Sequence, residues 1–159
     1  MTDRLEEDER WMQVALEEAQ VAAQKGEVPV GAVVVHEGKL IAKSHNLREL
    51  NKDPLAHAEL LAIAKAAEHL DRWRLIECTL YVTLEPCPMC AGAIVNSRLD
   101  RIVFGASDPR AGSCGSILNI VEDERLNHRP EVTRGILQPQ CSEILSNFFR
   151  ELRAKRKDS

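Results

Sequence analysis

Residues 79–104 restrict the fold of this chain more than any other segment. Residues 79–84 form a short run of Thr, Leu, Tyr and Val, Pro88–Asn96 is a helical stretch with proline at its first position, and residues 101–104 end in Ile-Val-Phe. Two strands joined through a helix must lie parallel. A parallel pair needs helices on both of its faces, and the rest of the sequence supplies them. Residues 6–25 place Trp11, Ala15, Ala19 and Ala22 on one stripe, with acids in the first turn and Gly26 at the stop. Residues 56–70 are rich in alanine and leucine, and residues 140–156 carry Ile144, Leu145, Phe148, Phe149 and Leu152 as apolar positions. Residues 30–35 and 40–42, with Glu37-Gly38 between them, read as a hairpin, and residues 131–136 as a last strand. This order predicts an α/β fold, a three-layer α/β/α sandwich around a central mixed five-stranded sheet.

The sequence contains no internal repeat, low-complexity tract or Gly/Ser-rich linker, so residues 1–159 are expected to form a single domain. With 44% hydrophobic residues in 159, such a domain can bury a core. No apolar run approaches the length of a membrane span, and the acidic start does not resemble a signal peptide, which points to a soluble cytoplasmic protein. The net charge of −4 excludes a surface positive all over and leaves room for a local basic strip. Acids outnumber bases in residues 1–10, and the reverse holds in residues 150–159. Such a tail suits a polyanionic partner as well as a solvated helix end.

Five cysteines in a chain of this kind point to metal binding or catalysis rather than a disulfide scaffold. Cys87 and Cys90 are three apart, on one face of the segment that Pro88 opens. At a helix N-terminus the amides and the dipole favour thiolate, the form that binds metal. His57 stands near the start of its own helix, so ligands from two helix starts reach one edge of the sheet. Two sulfurs and one nitrogen favour zinc, and three protein ligands leave a position for water, whose pKa zinc lowers from 15.7 to about 7. Glu59, two residues after His57, can share the site only in the first helical turn, where its carboxylate reaches that water as a proton shuttle. A redox dithiol would leave His57 and Glu59 unexplained. Cys78, Cys114 and Cys141 read as small buried thiols.

His57-Ala58-Glu59 followed by Glu85-Pro86-Cys87-Pro88-Met89-Cys90 resembles the cytidine deaminase-like zinc superfamily, and within it the bacterial branch that deaminates adenosine in tRNA. The likeness extends over Glu27–Val33 (27–33), Asn46, residues 79–94, Ser97-Arg98, Val103–Ala106 (103–106), Asp108, Asn127-His128-Arg129 and Phe148-Phe149-Arg150. It implies one zinc per subunit on His57, Cys87 and Cys90, with Glu59 moving protons as adenosine and water become inosine and ammonia. By the same resemblance Asn46 binds the base edge, and Pro29 and Ala58 shape the pocket. Asp108, Arg110 and Phe149 contact the anticodon loop of the tRNA, and the enzyme is a homodimer. Ser107 and Arg110 depart from the pattern, which bears on the RNA contacts and leaves the metal chemistry untouched. A deaminase of a free base or nucleoside, of guanine or cytosine type, is the alternative within the superfamily.

Overall fold

The computed structural model describes residues 3–157; Asp158 of the basic tail lies outside them. Helix α1 (Arg4–Gln24) starts on Asp3, whose carboxylate accepts the Leu5 N–H at 3.2 Å, two residues before the sequence places it. It ends where Gly26 takes a positive φ of 80°. Strands β1 (Gly31–His36) and β2 (Lys39–His45) follow, joined by Glu37 and Gly38, whose φ of 52° and 76° fit the tight hairpin turn of inverted hand. Next come α2 (Ala58–Leu70), β3 (Cys78–Leu84), α3 (Pro88–Asn96), β4 (Arg101–Ala106), β5 (Glu131–Arg134) and α4 (Gln138–Lys157).

The five strands form one mixed sheet in the order β2-β1-β3-β4-β5. Strand β1 runs antiparallel to β2 and β3, whereas β3, β4 and β5 are mutually parallel, as the crossover through α3 requires. Alternate side chains of the inner strands go to opposite faces. Ala32, Val34, Leu80, Val82, Ile102 and Phe104 pack against Ala58, Ala62 and Ala66 of α2 and Ile94 and Val95 of α3. Val33, Val35, Tyr81 and Val103 pack against Met12, Ala15 and Leu16 of α1 and Cys141 of α4. The three layers and the five-stranded mixed sheet therefore agree with the expected architecture.

Two close contacts hold α1 on the sheet. A Cβ on Gly31 would lie 1.9 Å from the Ala15 carbonyl oxygen, so only glycine lets the helix backbone come this near β1. Asp8, 3% exposed on α1, accepts two hydrogen bonds from the Arg101 guanidinium (2.7 and 2.6 Å) and one from the Tyr81 hydroxyl (2.9 Å). Arg101 also donates to the Thr133 hydroxyl at 2.8 Å, which links α1, β3, β4 and β5. Both parallel strands β3 and β4 deliver their C-terminal ends to one edge of the sheet, where α2 and α3 begin and where ligands collect in open α/β sheets.

Candidate metal centre and base pocket

His57 and Cys87 are the N-cap residues of α2 and α3, positions usually held by Ser, Thr, Asp or Asn. Neither side chain caps its helix. Both have extended backbone (φ −77°, ψ 150° and φ −75°, ψ 176°), which turns them away from the helix axis and toward each other. Pro88 at the first helical position loses no hydrogen bond, and Cys90 follows within the same turn. The result is a compact donor set: His57 Nδ1 lies 3.6 Å from Cys87 Sγ and 3.5 Å from Cys90 Sγ. Two corners of a tetrahedron around zinc, one nitrogen and one sulfur, are separated by about 3.6 Å, so these residues fit the ion. Glu59 is not part of this ligand group.

The protons are arranged accordingly. Cys87 is drawn down to about 4, first by the hydrogen bond from Cys90 and then by that from His57. Cys90 is pushed far up by its hydrogen bond to Cys87 and by burial. The hydrogen bond with Cys87 also raises His57. A metal ion held by His57, Cys87 and Cys90 would bind both sulfurs as thiolates, so its binding would release protons. Burial pushes the 4%-exposed Glu59 carboxyl up to about 7, against the opposing pull of its backbone N–H and of His57. Such a group accepts and releases a proton near neutrality. Cys78, Cys114 and Cys141 are unpaired and buried, and burial raises them to about 11, 12 and 12, so they stay thiols.

His57, Ala58, Glu59 and Cys87 line one wall of a cavity of about 190 Å³. Val28, Val30 and Leu84 make its apolar side, and Asn46, Arg48, Glu85, Asp108 and Ala111 complete the rim. This is room for a single ring system rather than a drug-sized ligand. Asn46 donates to the Val28 carbonyl at 3.3 Å and accepts from the Arg48 N–H at 3.2 Å, leaving one amide hydrogen and one lone pair for another partner. Val28, Leu84 and Asp108 also line an adjoining groove of about 940 Å³, which runs under α4 past Arg110, Phe149, Arg150, Arg153 and Arg156. Phe149 is 39% exposed there and meets Phe148 edge-on at 5.5 Å, while Phe148 faces a cleft shared with α1.

Of the residues singled out in the sequence, His57, Ala58, Glu59, Cys87, Asn46 and Asp108 line the cavity, Cys90 closes the donor set, and Arg110 and Phe149 sit in the groove. Pro29 lies behind the pocket wall. It is buried at the apex of a three-residue turn closed by the Val30 N–H on the Val28 carbonyl, and its two neighbours, Val28 and Val30, line the pocket. The parts played by three residues escaped the sequence reading. Arg48 lines the rim. Glu27, fully buried, accepts the N–H groups of Glu49 and Leu50 and so braces the segment that carries Arg48. Glu85 stands in the motif itself, and no spacing rule distinguishes its role. A second cluster, His36, Glu37 and Glu77, lies at the hairpin end of β1 and is largely exposed.

Comparison with known proteins agrees with this geometry. Residues 6–153 match the family model of the MafB19-like deaminases. The chain is 54% identical over 151 residues to a tRNA-specific adenosine deaminase of Bacillus subtilis (strain 168), covering 95% of this chain and 94% of that one. A solved structure from studies of A-to-I editing by tRNA:A34 deaminases superposes with a TM-score of 0.83 at 42% identity, covering 86% of this chain and 99% of that one. A guanine deaminase from Nitrosomonas europaea gives a TM-score of 0.76 at 26% identity, covering 88% and 83%. With its cavity, donor set and nearly full-length matches, the chain belongs to the MafB19-like deaminases, in one family with the tRNA-specific adenosine deaminases.

Proposed function

We propose that the chain is a zinc-dependent hydrolase that converts adenosine to inosine at the wobble position of a tRNA, releasing ammonia. One juxtaposition carries this reading: a buried carboxyl, Glu59, poised near neutrality beside a His-Cys-Cys donor set that does not include it. His57, Cys87 and Cys90 hold the zinc in this account. Bound there, zinc supplies Lewis-acid polarisation and lowers the pKa of a water to about 7.

The chain's own residues do the rest. The Glu59 carboxylate takes one proton from the attacking water and gives it to the ring nitrogen beside C6, then takes the second from the new C6 hydroxyl and gives it to the amine, so that the C6–N bond breaks, ammonia leaves and the C6 oxygen becomes the inosine carbonyl. Asn46 offers its remaining amide hydrogen and lone pair to the base edge, and Ala58 closes the wall beside it. Val28, Val30 and Leu84 keep bulk water from the ring. In the groove, Arg110, Arg150 and Arg153 meet phosphates while Phe149 offers a face for stacking. Splayed, unstacked bases need fewer positive charges than a duplex, which reconciles the acidic whole with an RNA substrate. The reading includes a cytoplasmic homodimer.

The likeness to the guanine deaminase keeps a second reading in view, in which the substrate is a free base or nucleoside. Incubating zinc-loaded protein with total tRNA and, separately, with free nucleosides distinguishes the two. The expected result is inosine from tRNA and no turnover of nucleosides; the reverse pattern would move the assignment to the second reading.

A further inference from the structure

Residues 107–130 join β4 to β5 with no strand of their own beyond an isolated bridge between Cys114 and Asn119. The first part of this segment forms one side of the base pocket and one side of the groove, so its position matters. Glu85 holds it. The Glu85 carboxylate, on a residue 2% exposed, accepts the N–H groups of Asp108 (3.0 Å), Cys114 (3.0 Å) and Ser116 (3.1 Å), and the Ser116 hydroxyl at 2.5 Å. The loop comes so close that a Cβ on Gly112 would lie 2.4 Å from the Glu85 carboxyl carbon. Among the described residues no cation forms an ion pair with Glu85, so these donors alone compensate its buried charge.

Two carboxylate oxygens offer about four acceptor sites, and four donors occupy them. Glu85 thus has little capacity left for a substrate, even though it lines the pocket and stands two residues before Cys87. Asp108 transmits its position: the Asp108 N–H goes to Glu85, while the Asp108 carboxylate accepts the N–H groups of Arg110 (2.9 Å) and Ala111 (3.3 Å). Farther along, the Arg134 guanidinium donates twice to the Cys114 carbonyl, securing the other end.

We propose that Glu85 is a positioning residue that locks residues 108–116, and with them Asp108 and Arg110, against the metal cradle, so that the nucleotides flanking the target base bind in register with it. This deepens the function proposed above and depends on it for its RNA readout. Two substitutions disturb the same lock in different ways. Glu85→Gln keeps the shape and turns an amide donor toward N–H groups. Gly112→Ala keeps every donor and acceptor and crowds both the carboxylate and the Asp108 carbonyl oxygen, 2.5 Å from the added Cβ, so that the loop and Glu85 are forced apart.

In the zinc-loaded full chain, both variants should retain one zinc per subunit. Amide exchange at Asp108, Cys114 and Ser116 should accelerate by about tenfold or more. For an anticodon stem-loop RNA, KM should rise by about tenfold while kcat changes less than about threefold. Unchanged exchange in both variants, loss of zinc, or a fall in kcat with KM unaltered would each overturn the proposal. Ser116→Ala, which removes one of the four donors, should show the same pattern in smaller measure and serves if Glu85→Gln does not fold. If the wild type releases no inosine from RNA, the proposed function fails, and the exchange result still decides whether Glu85 holds the loop.

Discussion

His57 and Glu59 stand two apart in the chain and still reach the same cavity, because His57 precedes the helix as its extended N-cap and Glu59 is already inside the first turn. In mid-helix the same spacing would turn them about 200° apart. The break in backbone conformation at one residue is what allows the His57 imidazole and the Glu59 carboxyl to converge.

Separation of these roles gives the first expectation. Glu59→Gln should keep one zinc per chain and lower kcat by about 10²–10⁴. Cys87→Ser should lose zinc on dialysis against a chelator. Metal analysis and inosine release, measured on the same preparations, check both.

The buried Glu59 carboxyl also makes a prediction for the metal-free protein. Its pKa in the fold is raised to about 7, so the folded state holds a proton that the unfolded chain releases near 4.5. Its contribution is therefore fully present below about pH 4.5 and lost as pH rises through 7. Glu59→Gln should stabilise the metal-free protein relative to wild type by on the order of 3 kcal/mol at pH 8, and by much less at pH 5. Urea denaturation at the two pH values measures the difference; an equal effect at both would contradict it.

Asp8 accepts from Arg101 and Tyr81 beneath the sheet. Asp8→Ala removes the two charge-assisted hydrogen bonds from the buried Arg101 guanidinium, which keeps the half-exposed Glu131 carboxylate 2.9 Å from its Nε, and should cost about 1.5–3 kcal/mol. Chemical denaturation checks this, and zinc binding, about a sheet away, should persist in the folded fraction.

Phe149 lies in the arginine-lined groove and makes no part of the donor set. Phe149→Ala should weaken binding of an anticodon stem-loop by about 1–3 kcal/mol. Arg153→Gln should instead reduce the salt dependence of binding by about one unit of slope. Fluorescence anisotropy across a salt series separates the two.

Much of this molecule is legible in its sequence where local chemistry decides. Pro88 opens α3 and the helix runs to Asn96 as expected, since a proline at the first position and a following apolar turn are local signals. Strand β2 extends to His45, well past residue 42, because at the sheet edge it exposes Lys39 and Lys43 and shows no apolar run. Strand β5 stops at Arg134, ahead of residue 136, because Gly135 and Leu137 take positive φ and turn the chain into α4. In the site, the His57, Cys87, Cys90 and Glu59 grouping follows from residue type and spacing. The parts that do not are long-range: Glu27 and Glu85 act on loops more than twenty residues away, through backbone N–H groups that carry no sequence identity.

Diffraction from crystals of zinc-loaded protein, with anomalous data at the zinc edge, tests the central claim most directly. The account predicts one peak per chain among His57 Nδ1, Cys87 Sγ and Cys90 Sγ, a solvent oxygen at the fourth corner, and the Glu59 carboxylate hydrogen-bonded to that oxygen. A peak elsewhere, or a fourth corner filled by Glu59 or another side chain, would contradict it.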